Sequence, residues 1–338
     1  MHNFANAIIN WQKLFGRHDL PWQTKLHHTP DPYAIWVSEI MLQQTQVAAV
    51  IGYYAKFMER FPNIQKLATA TQDEVLQHWS GLGYYSRARN LHSAAQKIMD
   101  DFSGSFPQNF NDILSLPGIG PSTAAAISTF AFNQPMPILD GNVKRVFARH
   151  FNVAGWPGHP KIEQSMWQIA IRENPQEGAV AYTQGLMDLG ATLCTRSKPK
   201  CAACPVHTSC MALKKQIVNE LPTPKPRKAI PERNIYLLIY KNGNDILLER
   251  RANKGIWGGL WSFPETETLP INGQDNMQLL PQFSHTFTHF RLHIQPVLIQ
   301  SATQAIFPNS LWIGLDEAME SAIPTPVRKI LITLNHIK

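Results

Sequence analysis

The sequence predicts two domains, an all-helical domain followed by a smaller α+β domain, and three observations support that division. The 338 residues exceed what one compact core usually supports. Apolar residues recur at three- and four-residue spacing through residues 4–215, as in amphipathic helices. A basic, Pro-rich segment at 221–228 then precedes a change to short β-rich runs. We therefore expect a helical region at 1–216, a linker at 217–231 and an α+β domain at 232–338.

The first helices are marked by a cap, a break and a stop. Asp31 and Pro32 can cap and open a helix that carries Glu39 within an apolar run. The polar residues at 43–46 then predict a break, with Thr45 capping a second helix that ends before Pro62. We expect a polar turn between these two helices.

A glycine-containing turn follows further along the helical region. Residues 116–120, LPGIG, stand between a short helix beginning near Phe110 and an Ala-rich helix opening at Pro121. Gly118 and Gly120 predict a tight connection whose amides, with the dipole of the second helix, could hold a DNA phosphate. An ordinary helix–helix turn would show the same pattern.

The four cysteines of the chain lie within one short segment, as Cys194, Cys201, Cys204 and Cys210. Such clustering favours one metal centre over disulfides, and four thiolates suit either zinc or a [4Fe–4S] cluster. The spacing alone does not decide between them. Three cations lie between the ligands, Arg196, Lys198 and Lys200, where they could contact DNA phosphates or form a solvated charge run.

The predicted α+β domain begins with a hairpin. β-rich runs at 235–240 and 246–248 are joined by Asn242 and Gly243, a strong turn signal. A further strand-like run covers 285–294, and a closing helix is predicted at 327–334.

Charge and targeting signals limit the partners and the compartment. Residues 1–230 hold 22 Lys and Arg against 15 Asp and Glu, whereas 231–338 hold nine of each, so the net charge of +7 lies in the N-terminal 230 residues. That excess suggests a polyanionic partner. Residues 1–9 show neither the basic leader nor the continuous apolar run expected of a signal peptide, and no window approaches the ~20 apolar residues of a membrane span. We expect an intracellular protein in the cytoplasm and nucleoid of a bacterium, without membrane contact and monomeric.

Several motifs in combination indicate a family. LPGIGPSTA at 116–124, LDGNVKR at 139–145 and the cysteine spacing together resemble the helix-hairpin-helix DNA glycosylase superfamily. Within it, SEIMLQQTQV at 38–47 and GLGYYSRARNLH at 81–92 resemble the MutY-type adenine DNA glycosylases, and the similarity covers nearly the whole chain. It implies one [4Fe–4S] cluster rather than zinc. It also implies base excision repair of double-stranded DNA with adenine opposite 8-oxoguanine or guanine, which prevents G:C to T:A mutations.

The resemblance assigns the chemistry to four positions. It implies that Glu39 protonates N7 of adenine, for which its apolar neighbours favour a neutral carboxyl. Without the motif, a solvated helix residue would be the better interpretation of Glu39. Asp140 would stabilise the oxocarbenium-like sugar, a role compatible with capping the helix that follows. Asn142 would orient Asp140 or the attacking water. Ser122 stands where bifunctional relatives carry a nucleophilic lysine, so we expect a monofunctional enzyme.

Base flipping also needs side chains that enter the duplex. The resemblance implies that Gln43 and Tyr84 are wedges and that Leu82 touches the oxidised guanine, although Tyr84 could instead pack in a core. Trp22 and Gln184 are candidates for the adenine pocket.

The C-terminal domain resembles a Nudix fold, most clearly in residues 257–264. No cluster of glutamates follows Pro264, so Nudix hydrolysis lacks its metal ligands. The resemblance implies instead a module that recognises 8-oxoguanine through Phe287, Thr288 and His289, where the family carries Phe-Ser-His. A plain alternating strand would fit the same residues.

Three alternatives from other classes remain open at this point. A pyrimidine-specific enzyme of the endonuclease III type is disfavoured by Ser122 and by the additional C-terminal domain. A non-catalytic DNA-binding or electron-transfer protein would not need Glu39 and Asp140 together. A Nudix hydrolase lacks its carboxylates.

Overall fold

The computed structural model describes residues 3–23, 29–226, 229–269, 276–305 and 307–336. The chain divides into two compact units. The first comprises residues 1–68 and 93–227, and the second comprises 69–92 and 228–338. Residues 69–92, which belong to the helical part of the sequence, therefore group with the C-terminal unit.

Helices make up the N-terminal part of the chain, as predicted. They are α1 (Asn3–Phe15), α2 (Pro32–Leu42), α3 (Val47–Arg60), α4 (Ile64–Thr69), α5 (Gln72–Trp79), α6 (Ser86–Asp101), α7 (Phe110–Leu114), α8 (Pro121–Phe132), α9 (Gly141–His150), α10 (Pro160–Glu173), α11 (Ala179–Asp188) and α12 (Met211–Lys214). A π-helical turn, Leu189–Leu193, follows α11. None of the helices in the described residues is long and apolar enough to cross a membrane.

The helix α2 is apolar on most of its circumference, which explains why it lies inside the first unit. Seven of its 11 residues are buried, as expected for a helix that packs on several sides. As predicted, Pro32 opens it, and the Asp31 side chain accepts a hydrogen bond from the Tyr33 amide at 2.9 Å. The helix α2 packs against α8. This packing holds Glu39 in a fixed position on a buried helix.

The predicted break after α2 is present, but the capping residue is not the one expected. The helix α3 begins at Val47, with Gln46 as its N-cap residue and no side-chain capping bond. The prediction that Thr45 caps α3 is therefore wrong. Its hydroxyl lies 3.4 Å from the Gln43 carbonyl, within the break itself. The predicted end before Pro62 is confirmed, since α3 ends at Arg60.

The described residues of the second unit form an eight-stranded sheet. The strands are β1 (Glu232–Asn242), β2 (Asp245–Arg250), β3 (Trp261–Ser262), β4 (Glu265–Thr266), β5 (Met277–Leu279), β6 (Phe283–Thr286), β7 (Arg291–Gln300) and β8 (Ser310–Gly314). Five of them follow one another in the order β3-β2-β1-β7-β5. β4 pairs with β1, β6 with β7 and β8 with β2. The long strands β1 and β7 are parallel, in register from Glu232 opposite Arg291. Two helices close the unit, α13 (Leu315–Glu320) and α14 (Thr325–His336), and α14 confirms the predicted closing helix.

Two details of this sheet differ from the prediction. Asn242 pairs with Asp245, so the hairpin turn is formed by Gly243 and Asn244 rather than by Asn242 and Gly243. The Asn242 side chain instead donates to the Ser301 carbonyl at 2.8 Å. The predicted strand at 285–294 is interrupted by a turn at 287–290, which joins β6 to the antiparallel β7.

Candidate active site

Glu39 and Asp140 interact electrostatically within the first unit. Glu39 lies on α2, and Asp140 stands at the N-terminus of α9. Burial, and secondarily the charge of Asp140, raises the pKa of Glu39 to about 8. The carboxyl of Glu39 is therefore held largely protonated at neutral pH. The structure brings together the two carboxylates that the sequence singled out.

Asp140 is held by the helix that it caps, as predicted. Its Oδ1 accepts a hydrogen bond of 2.7 Å from the Val143 amide. Burial raises the pKa of Asp140, while the Val143 and Asn142 amides and the positive charge of Arg145 oppose that rise. Because two neighbouring carboxylates do not readily both ionise, these donors favour the charge on Asp140 and the proton on Glu39.

Asn142 connects Asp140 to two further residues that the sequence analysis missed. Its Oδ1 accepts a hydrogen bond of 2.8 Å from Arg145, whose guanidinium also donates to the Gly190 and Cys194 carbonyls, each at 2.7 Å. A side chain on Gly190 would place its Cβ 2.5 Å from the Asn142 Cβ, so only glycine fits there. The Asn142 amide nitrogen is 3.5 Å from Asp140, a weak contact.

Ser122 lies in the first turn of α8 and supports the segment that leads to Asp140. Its Oγ accepts a hydrogen bond of 3.2 Å from the Leu139 amide. The hydroxyl thus holds the backbone one residue before Asp140. This contact gives Ser122 a positioning role in the structure.

The helix-hairpin-helix turn contains two glycines with different requirements. Gly118 has φ +80°, a conformation that favours glycine. Gly120 is the N-cap of α8 with φ −98°, so of the two glycines only Gly118 adopts a positive φ. A Cβ on Gly120 would meet nothing within 4 Å. The packing of the chain therefore does not require glycine at 120, and the backbone there is open to a ligand.

Gln43 lies in the break after α2 and reaches this turn. Its Nε2 is 3.2 Å from the Thr123 hydroxyl and 3.5 Å from the Gly118 carbonyl. The next residue, Gln44, has φ +57°. The polar break and the glycine turn, which are distant in sequence, thus form one surface.

The four cysteines line one cavity, which they share with Arg149, Lys200, His207 and apolar side chains. None of the four forms a disulfide bond. The buried Arg149 guanidinium contacts the Cys194 sulfur at 3.4 Å and donates to the Thr195 carbonyl at 2.7 Å. Among the described residues, no set of three or more His, Cys, Asp or Glu side chains is arranged to hold a metal ion. Four unpaired thiols around one cavity, beside a buried cation, nevertheless fit a four-thiolate centre.

The cations of this loop are exposed, as a phosphate-binding role requires. Arg196, Lys198 and Lys200 all lie on the surface. Lys198 has φ +53°, so the loop is turned sharply at that residue.

The candidates for the adenine pocket lie in the first unit. Trp22 is buried and packs edge-on against Tyr54, with ring centroids 5.3 Å apart. The Gln184 amide donates to the Asp188 carboxylate at 2.8 Å. Arg17 binds the same carboxylate through its guanidinium at 2.6 Å and its backbone amide at 2.8 Å. Arg17 and Asp188 were missed in the sequence because the pairing joins residues 171 positions apart.

Leu82 and Tyr84 belong to the second unit and differ in exposure. Leu82 is buried, at 9% exposure. Tyr84 is 43% exposed, so it is not a core residue. The alternative that Tyr84 packs in a core is therefore excluded.

Phe287, Thr288 and His289 lie in the turn between β6 and β7 rather than in a strand. The Phe287 amide donates to the Phe290 carbonyl at 2.9 Å, and the two rings stack with centroids 4.6 Å apart. Thr288 and His289 are exposed at the tip. The stacked rings thus form the base of a short loop that presents two polar side chains.

Comparisons with known proteins match both parts of the chain. Residues 37–171 match the family described as HhH-GPD superfamily base excision DNA repair protein, and residues 235–333 match the NUDIX domain. Among solved structures, a thermostable thymine-DNA glycosylase aligns with a TM-score of 0.55 and 29% identity, covering 63% of this chain and 95% of that one. An endonuclease III–DNA complex aligns with a TM-score of 0.53 at 20% identity, covering 63% and 95%, and supports the fold alone. The fold and the site therefore define a base excision repair protein with a helix-hairpin-helix domain and a Nudix-like domain.

Curated relatives narrow this class. The adenine DNA glycosylase of Buchnera aphidicola subsp. Schizaphis graminum is 37% identical over 342 residues, 97% of each chain. The adenine DNA glycosylase of Homo sapiens is 30% identical and covers 97% of this chain and 73% of its own length. The chain belongs to the adenine DNA glycosylase family. It is accordingly a DNA N-glycosylase that acts on adenine in base excision repair.

Proposed function

We propose that the chain excises adenine opposite 8-oxoguanine or guanine and that it leaves the DNA strand uncut. The raised pKa of Glu39 beside Asp140 is the observation that carries this proposal. Glycosidic cleavage at a purine needs an acid for the departing base and a negative charge near the sugar. One protonated and one ionised carboxyl, close together, supply both requirements.

In this mechanism Glu39 donates its proton to N7 of adenine, which makes the base a better leaving group. Positive charge then develops on the deoxyribose, and Asp140 stabilises it electrostatically or through a transient covalent bond. The contact from Val143 fixes the Asp140 carboxylate while that charge forms. Asn142, which Arg145 anchors, orients Asp140 or the attacking water.

The DNA strand stays intact because residue 122 is a serine and has no amine to attack the sugar. Cleavage by the bifunctional relatives proceeds through a Schiff base with a lysine, and a hydroxyl cannot form one. The Ser122 hydroxyl is engaged with the Leu139 amide, which fits a supporting role.

The DNA is held through its phosphates and opened by inserted side chains. The open backbone at Gly118 and Gly120 and the exposed cations of the cysteine loop are suited to phosphates. Gln43 and Tyr84 enter the duplex beside the extruded base, since both occupy turns and Tyr84 is exposed. Trp22 and Gln184 contact the flipped adenine, with Asp188 holding the Gln184 amide in place.

Recognition of 8-oxoguanine is assigned to the turn between β6 and β7. Thr288 supplies a hydroxyl and His289 an imidazole from an exposed tip, and the stacked Phe287 supports them. Leu82 contacts the oxidised guanine through the part of its side chain that is exposed.

Cys194, Cys201, Cys204 and Cys210 would hold one [4Fe–4S] cluster, with Arg149 offsetting the charge of the thiolates. The cluster would supply a fixed frame for the loop that presents Arg196, Lys198 and Lys200. We propose further that the enzyme acts as an intracellular monomer in a bacterium.

The experiment uses duplexes with A opposite 8-oxoguanine, A opposite G, T opposite G and oxidised pyrimidines, with and without alkali after single-turnover reaction. We expect an alkali-dependent product from the two adenine pairs only, with 8-oxoguanine preferred. Glu39→Gln and Asp140→Asn should each lose most activity and retain mismatch binding, while Glu59→Gln, an exposed carboxylate on α3, serves as the matched control. Strand cleavage without alkali, or normal turnover in either variant, would contradict the proposal.

A further inference from the structure

The turn that carries Tyr84 has an unusual backbone. Gly81, Gly83 and Tyr84 all have positive φ, at +99°, +77° and +49°. Glycine adopts this conformation readily, but tyrosine does not. Surrounding contacts must therefore stabilise Tyr84 in a conformation that its own backbone disfavours.

Arg87, in the first turn of α6, supplies those contacts. Its guanidinium carbon lies 5.3 Å from the centre of the Tyr84 ring and 5.4 Å from the centre of the Trp79 ring. Its Nη2 donates to the Gly83 carbonyl at 3.0 Å. The guanidinium thus contacts the ring of Tyr84 and the backbone of the residue before it. Cation–π contacts of this kind strengthen when the cation is removed from water.

Trp79 anchors the same turn from the protein interior. Trp79 is fully buried, and its indole Nε1 donates to the same Gly83 carbonyl at 3.1 Å. The Arg87 amide donates to the Tyr84 carbonyl at 2.9 Å. Trp79 and Arg87 therefore fix the turn from both sides, while Tyr84 remains exposed.

Arg87 itself is only 7% exposed. Burial lowers the pKa of its guanidinium to about 10, which leaves it charged at neutral pH. A cation covered by aromatic rings is poorly placed to bind a phosphate. Its contacts stabilise the turn that carries Tyr84 instead.

We propose that Arg87 is a positioning residue that holds Tyr84 in the orientation in which it enters DNA. The inference rests on the proposed function, in which Tyr84 is a wedge. Arg87 adds pre-organisation: the ring is already presented before DNA binds, so less conformational entropy is lost on insertion. The effect of Arg87 on catalysis must therefore pass through the Tyr84 ring.

The test is a double-mutant cycle with Arg87→Leu and Tyr84→Leu in the full-length holoenzyme. Base unstacking is followed by the fluorescence of 2-aminopurine placed next to 8-oxoguanine, opposite a non-cleavable adenine analogue, and excision is followed by single-turnover rates. Arg89→Met is the matched control, because Arg89 lies on the same helix but donates to the Gly258 carbonyl. Chemical denaturation reports the folding of each variant.

We expect Arg87→Leu to reduce the unstacking signal and the excision rate by about tenfold. In the Tyr84→Leu background the same change should have little further effect. Arg87→Lys, which keeps the charge but loses the planar guanidinium, should lie between parent and Arg87→Leu, and it serves as the second variant if Arg87→Leu does not fold.

Two results would overturn the inference separately. An equal loss of excision rate from Arg87→Leu in both backgrounds would show that Arg87 acts independently of Tyr84. The same conclusion would follow if Arg87→Leu reduced the salt dependence of DNA binding by the amount expected for about one lost phosphate contact. Normal unstacking and excision by Tyr84→Leu would instead remove the wedge role of Tyr84, and with it this part of the proposed function.

Discussion

The pH dependence of excision tests the assigned acid directly. The pKa of Glu39 is raised from an ordinary 4.5 to about 8 by burial and by the charge of Asp140. At pH 7 a carboxyl with a pKa of 8 is about 90% protonated, whereas one at 4.5 is protonated in roughly one molecule in 300. If Glu39 donates the proton, this environment raises the population of active enzyme by a factor on the order of several hundred.

The corresponding assay measures single-turnover excision from pH 6 to pH 9.5 with saturating enzyme, and mismatch binding over the same range. The acid form is lost as pH rises, so the rate should be flat below about 7 and should fall about tenfold per unit above 8. Asp140→Asn removes a neighbouring negative charge, so the residual activity should begin to fall at lower pH. Because burial is the larger cause, the pKa should stay above 4.5.

Two outcomes would refute this reasoning. A rate that already falls about tenfold per unit between pH 6 and 7 would mean that the carboxyl of Glu39 has an ordinary pKa. An alkaline decline that matches the loss of DNA binding would assign the titration to the interface instead. The Glu59→Gln control should show the same decline as the parent.

Four further predictions follow from the same structure. Between pH 4.5 and 8 the folded protein keeps a proton on Glu39 that the unfolded chain releases, so the free energy of unfolding falls as pH rises through this range. At pH 9 the free energy of unfolding of Glu39→Gln, measured in urea, should therefore be a few kcal/mol greater than that of the parent. Gly190→Ala should cost about 1–3 kcal/mol in urea unfolding and reduce excision, because its Cβ overlaps Asn142, and unchanged values would contradict the packing. Gly120→Ala should leave the free energy of unfolding within ~0.5 kcal/mol of that of the parent but should weaken DNA binding in a titration. An unchanged affinity would contradict the proposed phosphate site at this turn. Thr288→Ala should reduce the preference for 8-oxoguanine over guanine in paired excision assays, and an equal loss on both substrates would contradict its recognition role.

Local signals in the sequence predicted the elements that carry the site. Asp31 caps and Pro32 opens α2 through contacts with adjacent residues only. The glycine turn at 116–120 is likewise determined by residues that are neighbours in the sequence. The cap at Asp140 followed from the same kind of local pattern. Thr45 shows the limit of this reasoning, because a residue that can cap a helix need not be the one at its start.

Long-range pairing could not be predicted from one sequence. Arg17 meets Asp188, and Arg145 meets the Gly190 carbonyl, only because the chain folds back on itself. The grouping of residues 69–92 with the C-terminal unit is of the same kind. The interruption of the strand predicted at 285–294 also depends on pairing, since the stacked rings of the turn meet only once β6 and β7 are aligned.

The cap at Asp140 determines which substitutions can be interpreted. One carboxylate oxygen completes the first turn of α9, so any side chain that lacks an oxygen at this position loses helix stability and chemistry together. Asparagine keeps an acceptor of the same length and removes only the charge. A loss of activity in Asp140→Asn can therefore be attributed to chemistry, whereas a loss in Asp140→Ala cannot. The same reasoning predicts that variation at this position is restricted by folding as well as by catalysis.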